Sequence, residues 1–443
     1  MLFDTLKVSI VLVTAVTRWK GLETRFLLWK SLPSSIDRLQ HFASSRMCAS
    51  VKRCDLKVES PGFWDALGNL EDGGLDVVKK FFELLTSFPN LATLSLTALT
   101  LDPLKLQRVS EIHTLQTLII HDCRLPRTFN KLSIRDLEVS GNPTEMFPAS
   151  KEDYGLASFF DLNQVERLQV SKPTWGDPLG LFCTQSNSPI SFSNMKVLSM
   201  PWTLSLSPTF PSLLTQCPVL EELRLFSQAP KTPSHSKFNQ SGATTLHPSV
   251  APHLKIFIGP DVCASTFTSR SLRTLVMASS EGRPHDIRKD VLPILTDIAF
   301  PGDLERLAFG VDCLSDPLLD YIAGSFKSLK NLSIFISMVD GERYSSDIHC
   351  RKMWISRLSS RLPSTLIRFD ISTRFAGLNH SEDVSGEDLN VLMTPLSQRC
   401  KKLTAFTMSY QSAARGRTWA WRRSERTGYG SGQWVNTDEG VRQ

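Results

Sequence analysis

The spacing apolar-x-x-apolar-x-apolar recurs along this chain, and a pattern that repeats constrains the fold more than any single motif could. It is written Leu91-Ala-Thr-Leu94-Ser-Leu96 and returns as Leu115/Leu118/Ile120, Ile134/Leu137/Val139, Val165/Leu168/Val170, Met195/Leu198/Met200, Leu220/Leu223/Leu225 and Leu272/Leu275/Met277. Leu304/Leu307/Phe309, Leu329/Leu332/Ile334, Leu366/Phe369/Ile371 and Leu403/Phe406/Met408 follow. Two weaker copies come first, Phe3/Leu6/Val8 and Val51/Cys54/Leu56, and a damaged one, Leu254/Phe257/Gly259, sits in the middle. The last two apolar positions are two residues apart, so on a strand they share a face while their neighbours point the other way. One such strand cannot cover its own apolar face, but the next copy stacked beside it can.

This is the spacing of a leucine-rich repeat, and it predicts an α/β fold: an irregular leucine-rich-repeat solenoid with a parallel β-sheet on the concave side and helices on the convex side. From Leu91 onward successive copies start roughly 18 to 37 residues apart, against roughly 20 to 29 for the ordinary repeat, so the connecting segments vary. Three read as helices. Gly74 to Phe88 carries Leu75, Val78, Phe82 and Leu85 as a stripe with Lys79, Lys80 and Glu83 off it. Ser315-Asp316-Pro317 supplies a cap and a first-turn proline ahead of Leu318, Leu319, Tyr321, Ile322 and Phe326, and Ser385 to Cys400 places Leu389, Leu392, Met393 and Leu396 inward.

A chain of 443 residues exceeds a typical compact domain, yet a solenoid lengthens without enlarging its core. We divide it into an N-terminal segment, 1–50; the repeats, 51–410, with a disordered Ser/Pro/Thr-rich insertion at 227–252; and a basic Trp-rich tail, 411–443. In the tail, Arg415, Arg417, Arg422, Arg423 and Arg426 lie among Trp419, Trp421 and Trp434. Such interleaving would suit stacking on nucleic acid, but Thr418 to Trp421 and Gln433 to Val435 flank a Gly-rich turn, and we favour a closing hairpin. Fifty basic and 44 acidic residues are interspersed for a net charge of +6, which gives no reason to expect nucleic acid or membrane as a partner. The apolar run Val8 to Val16 is too short to span a bilayer, follows Asp4, and reads as a buried strand better than as a signal peptide. Nine cysteines without a C-x-x-C pair read as unbridged thiols of a reducing compartment, with Cys217 and Cys400 packed at helix ends, and predict a cytoplasmic or nuclear protein.

The chain carries no G-x-S-x-G, P-loop, G-x-G-x-x-G or H-E-x-x-H motif, and we expect no catalytic, cofactor-binding or metal-binding residue. His121-Asp122-Cys123 is read as the exit of a strand. The residues between the apolar positions select a candidate partner-binding concave face: Arg167, Gln169, Glu222, Arg224, Arg306, Asn331, Arg368 and Asp370. Their mixed charges suit a polar protein partner, a target whose identity the residues do not encode.

Phe-Pro-Asn-Leu-Ala-Thr-Leu-Ser-Leu at 88–96, Cys-Pro-Val-Leu-Glu-Glu-Leu-Arg-Leu at 217–225 and Trp-Ala-Trp-Arg-Arg at 419–423 resemble the fungal F-box proteins with leucine-rich repeats. Leu2 to Ser9 looks like the strand that follows the F-box in that group. The resemblance implies the substrate-recognition part of a receptor in an SCF-type ubiquitin ligase, in which a three-helix F-box docks the adaptor and the repeats hold the target. Here Leu32-Pro33 is the only candidate F-box start, and Asp37 to Ser50 runs directly into the strand Val51 to Leu56. We therefore expect a chain that begins partway into a larger protein and binds the ligase adaptor only if an F-box lies upstream. The alternative is a secreted or surface leucine-rich-repeat recognition protein with a signal peptide in Val8 to Val16; the odd cysteine count favours the first.

Overall fold

The computed structural model describes residues 7–14, 22–29, 33–44, 46–59, 76–126, 130–141, 146, 156–171, 192–201, 209–226, 246–277, 291–311, 314–338, 358, 361–375, 386–411, 416–423 and 432–436. It is an α/β structure of mostly parallel sheet with helices, in two compact units, Met1–Leu220 and Glu221–Gln443.

In the first unit, β1 (Lys7–Thr14) and β2 (Leu22–Trp29) form an antiparallel hairpin. Helix α1 (Pro33–Ser44) and a 3-10 turn (Arg46–Ser50) lead to β3 (Val51–Glu59). Then come α2 (Asp76–Leu84), β4 (Thr93–Thr97), α3 (Pro103–Ser110), β5 (Thr117–His121), β6 (Asp136–Ser140), β7 (Arg167–Val170), β8 (Val197–Pro201) and α4 (Phe210–Thr215). Strands β3 to β8 pair in parallel, each with the next. Strand β1 pairs with β3 antiparallel, so it is not the parallel repeat copy that Phe3/Leu6/Val8 suggested. Alternation fixes which face a strand buries but not the direction in which it pairs.

The second unit runs β9 (Glu222–Phe226), β10 (Ile256–Gly259), α5 (Asp261–Ala264), β11 (Thr274–Met277), α6 (Leu292–Thr296), β12 (Arg306–Val311), α7 (Asp316–Ser325), β13 (Asn331–Met338), β14 (Arg368–Phe375), α8 (Gly386–Arg399) and β15 (Ala405–Gln411). All seven of these strands pair in parallel. The expected closing hairpin follows: β16 (Gly416–Arg423) and β17 (Gly432–Asn436) pair antiparallel with Trp421 opposite Trp434. Trp421 also lies opposite Phe406 on β15 and is buried. Arg423 fastens the hairpin to α8, donating to the carbonyls of Lys401 (2.5 Å), Ser397 (3.2 Å) and Cys400 (3.3 Å). Those acceptors lie in or just past the last turn of α8, where carbonyls lack helical partners and the dipole favours a cation.

The repeat positions form the core. From Leu94/Leu96 to Phe369/Ile371 the last two apolar positions of every copy outside the damaged one and the two N-terminal ones are at most 5% exposed. A backbone turn precedes most strands: Leu91 N–H bonds to Phe88 O, Leu220 to Cys217, Leu329 to Phe326 and Leu403 to Cys400. The residue three before each of these strand motifs is buried, which accounts for Cys217 and Cys400 as packing groups. The damaged copy is a strand too. A Cβ on Gly259 would lie 2.9 Å from Phe257 Cζ and 3.0 Å from Leu225 Cβ, so the Phe257 ring takes the space that a larger apolar side chain at this position fills in the other copies.

A backbone ladder joins the strands. The carbonyl of Ala92 accepts from the N–H groups of both Gln116 and Thr117, and that of Gln116 from Arg135 and Asp136. The carbonyls of Arg135 and Glu166 continue it in the first unit, and those of Glu221, Lys255, Arg273, Glu305, Lys330 and Ile367 repeat it in the second. Of the helix expected over Gly74 to Phe88, Asp76–Leu84 is α-helical and Leu85–Ser87 forms a 3-10 turn, with Gly74 and Leu75 outside the described residues, and Ser315 sits at the N-cap of α7 without a side-chain cap bond. Of the insertion 227–252, residues 227–245 lie outside the described residues, whereas Leu246, Val250 and Ala251 are buried.

Candidate functional site

Alternation turns every second side chain of a strand away from the apolar core, and on that face, called the open face below, most are exposed or half-buried, although Ser95 and Ser199 are buried. All eight residues selected from the sequence lie on it. Arg167, Gln169, Arg224, Arg306 and Arg368 are exposed, and Glu222, Asn331 and Asp370 are half-buried.

In the first unit the open face carries a polar network. Arg167 Nε lies 3.7 Å from Asp136 Oδ1 on the neighbouring strand, and Thr117 Oγ1 lies 3.4 Å from Asp136 Oδ2. Gln169 donates to Glu138 at 3.2 Å, and His121 Nε2 is 3.8 Å from the same carboxylate. His121-Asp122-Cys123 does not converge. His121 joins the open face, Asp122 turns the chain at φ 48°, and Cys123 is buried with its thiol against Leu96 O at 3.4 Å.

In the second unit Glu222, Ile256, Thr274, Arg306, Asn331, Arg368, Ala405 and Arg422 stand in register across eight successive strands. Asn331 is therefore flanked on the two adjoining strands by Arg306 and Arg368. A second row, two residues on, reads Arg224, Ile258, Val276, Ala308, Ser333, Asp370, Thr407 and Ala420. Two carboxylates are neutralised within their own strands: Arg224 Nε donates to Glu222 Oε1 at 2.5 Å, and Arg368 Nε to Asp370 Oδ2 at 2.9 Å. Ser333 also donates to Asp370, at 3.2 Å.

Three features of this surface escaped the sequence reading. Ile256, Ile258, Val276 and Ala308 form a half-buried aliphatic floor on the open face, although each lies beside core residues in a stretch that reads as uniformly apolar. Arg422, assigned to the tail, joins the row of Arg306 and Arg368. A charged column also runs along the strand starts, with Arg135–Glu166–Lys196 in the first unit and Lys255–Glu221 and Lys330–Glu305 in the second. Lys196, hydrogen-bonded at 3.0 Å, is the first cause that holds the Glu166 carboxyl below its ordinary value, and Lys330 does the same for Glu305 at 2.9 Å. The signal for this column is the sign alternation of the residue after the first apolar position.

Among the described residues no group of three or more His, Cys, Asp or Glu side chains could hold a metal ion, and no helix is long and apolar enough to cross a membrane. No protein-family model matches the chain, and no curated protein matches it either.

Proposed function

We propose that the chain is a leucine-rich-repeat scaffold whose open sheet face binds a protein. The observation that carries this reading is the second unit's open face: in-register rows of arginine, asparagine and aliphatic side chains on a rigid parallel sheet. The regular parallel register and the buried repeat positions support the repeat type, with the open face as the concave side and the helices outside. The narrower form of the proposal is the target-holding part of an F-box-type receptor of a ubiquitin ligase, which rests on the resemblance at 88–96, 217–225 and 419–423.

The test is affinity capture with the full chain, followed by hydrogen-exchange mapping of the chain with and without the captured protein. The proposal expects added protection on β9 to β16 and weaker capture by an Arg224→Glu/Arg306→Glu variant of unchanged melting temperature. Protection confined to the helices would overturn it. Adaptor binding by any longer product that carries an F-box would support the narrower form.

A further inference from the structure

The open face of the second unit has a spacing as well as a charge. Arg306, Arg368 and Arg422 belong to one row, on β12, β14 and β16, so each is two strands from the next. Neighbouring strands lie about 4.8 Å apart, which sets these positions about 10 Å apart. Two strands before Arg306, on β10, the same row holds Ile256, beside Ile258, with Val276 and Ala308 on the two strands that follow. Arg224 and Arg368 each hold a carboxylate of their own strand, whereas among the described residues none lies within ion-pair distance of Arg306 or Arg422. Among the described residues this face therefore presents the unpaired charges of Arg306 and Arg422 beside an aliphatic floor, with the ion-paired Arg368 midway between them.

A polyproline II helix has three residues per turn and a rise of about 3.1 Å, so it returns the same face about every 9 Å. That matches the two-strand repeat, whereas in a β-strand residues three apart point to opposite sides. We propose that this face binds an acidic protein segment in polyproline II conformation, laid across the strands. An apolar side chain would sit over Ile256, Ile258 and Val276, and carboxylates three residues apart would meet Arg306, Arg368 and Arg422. Asn331, between the first two arginines, is placed to hydrogen-bond the segment's backbone. A nucleic-acid strand fits less well, because the floor is aliphatic where bases need rings to stack on.

The inference rests on the scaffold reading. The probe is a fluorescent peptide, Leu-Pro-Ser-Glu-Pro-Ser-Glu-Pro-Ser-Glu, titrated with the full chain. An isomer with its three glutamates adjacent and a uridine decamer serve as controls. The spaced peptide should bind about tenfold tighter than the isomer, and Arg306→Ala/Arg422→Ala should weaken it about tenfold without shifting the melting temperature. Equal affinity for both peptides, indifference to the double variant, or displacement by the decamer at a lower concentration than by unlabelled peptide would each overturn the inference. If those results came with a captured protein that still protects β9 to β16, only the acidic segment would fall; if protection sat on the helices alone, the scaffold reading would fall with it.

Discussion

Arg270 donates from Nη2 to the carbonyl of Val250 at 2.9 Å and to that of His247 at 2.8 Å, while its guanidinium also bonds Ser269 Oγ. The side chain is buried, and it ties the turn before β10 to the turn before β11, two segments with no shared ladder. Replacing it with methionine leaves the Val250 carbonyl without a donor, while that of His247 keeps only the backbone N–H of Val250, at 2.9 Å. We expect Arg270→Met to cost about 1–3 kcal/mol, read as a lowered urea midpoint, with Arg270→Lys in between. An unchanged midpoint would mean that water replaces the guanidinium at no cost.

Gly259 stands where the other copies place a larger apolar residue, so restoring the pattern should be harmful. The Cβ of Gly259→Ala meets the Phe257 ring and should cost about 1–3 kcal/mol. Phe257→Leu should relieve part of that cost, giving a favourable coupling in a double-mutant cycle of the two sites. Additive costs would place the strain elsewhere.

Leu223 and Leu307 are fully buried at equivalent strand positions. Each change to alanine should cost about 2–5 kcal/mol in chemical denaturation. Lys330→Ala, which breaks only the exposed pair with Glu305, should cost less than about 1 kcal/mol.

Asp102 caps α3, accepting the backbone N–H of Lys105 at 2.9 Å and pairing with its ammonium at 2.7 Å. Burial pushes its carboxyl up, but the Lys105 hydrogen bonds and charge outweigh this and hold it below the ordinary value. A depressed carboxyl stabilises the fold above its unfolded pKa of about 3.9, and that stability is lost as pH falls through the lower folded value. Asp102→Ala should therefore cost about 1 kcal/mol at neutral pH. Melting temperatures of the two proteins should converge below about pH 4; a constant gap would assign the effect to backbone geometry alone.

Burial pushes the thiols of Cys123 and Cys217 up to about 12 and that of Cys400 up to about 11, and it raises Cys54 further still. At pH 8 these groups stay protonated, and the thiolate is the reactive form. Mass spectrometry of the native protein after brief iodoacetamide treatment should find the half-buried Cys48 labelled well before Cys123 and Cys217. Labelling of all of them at one rate would mean that the core opens readily.

The strands were legible because their signal is local: six residues fix a strand and the face it buries. The closing hairpin was legible for the same reason, with Trp421 and Trp434 flanking a Gly-rich turn. Register was not. Arg306, Asn331 and Arg368 become neighbours only when segments of different length fold back to the same height. The antiparallel course of β1 was hidden because period-two alternation reads the same in both directions. The aliphatic floor was hidden because Phe257 and Leu275 on the buried face alternate with Ile256, Ile258 and Val276 on the open one, so both faces are apolar and the alternation vanishes.

The backbone ladder carries a consequence for how such a chain can change. Each seam within a unit is made by a carbonyl and the two amides that follow at the next strand, and none of the amide donors is proline. Side chains in that column add surface ion pairs to a join that the main chain makes by itself, which is why alanine, glutamine, arginine, lysine, glutamate, isoleucine and threonine all occupy it. A duplicated or transplanted segment would need only matching height and a non-proline residue there to be accepted. The order of the repeats is thus open to rearrangement at little cost to the join, and novelty on the open face can accumulate strand by strand.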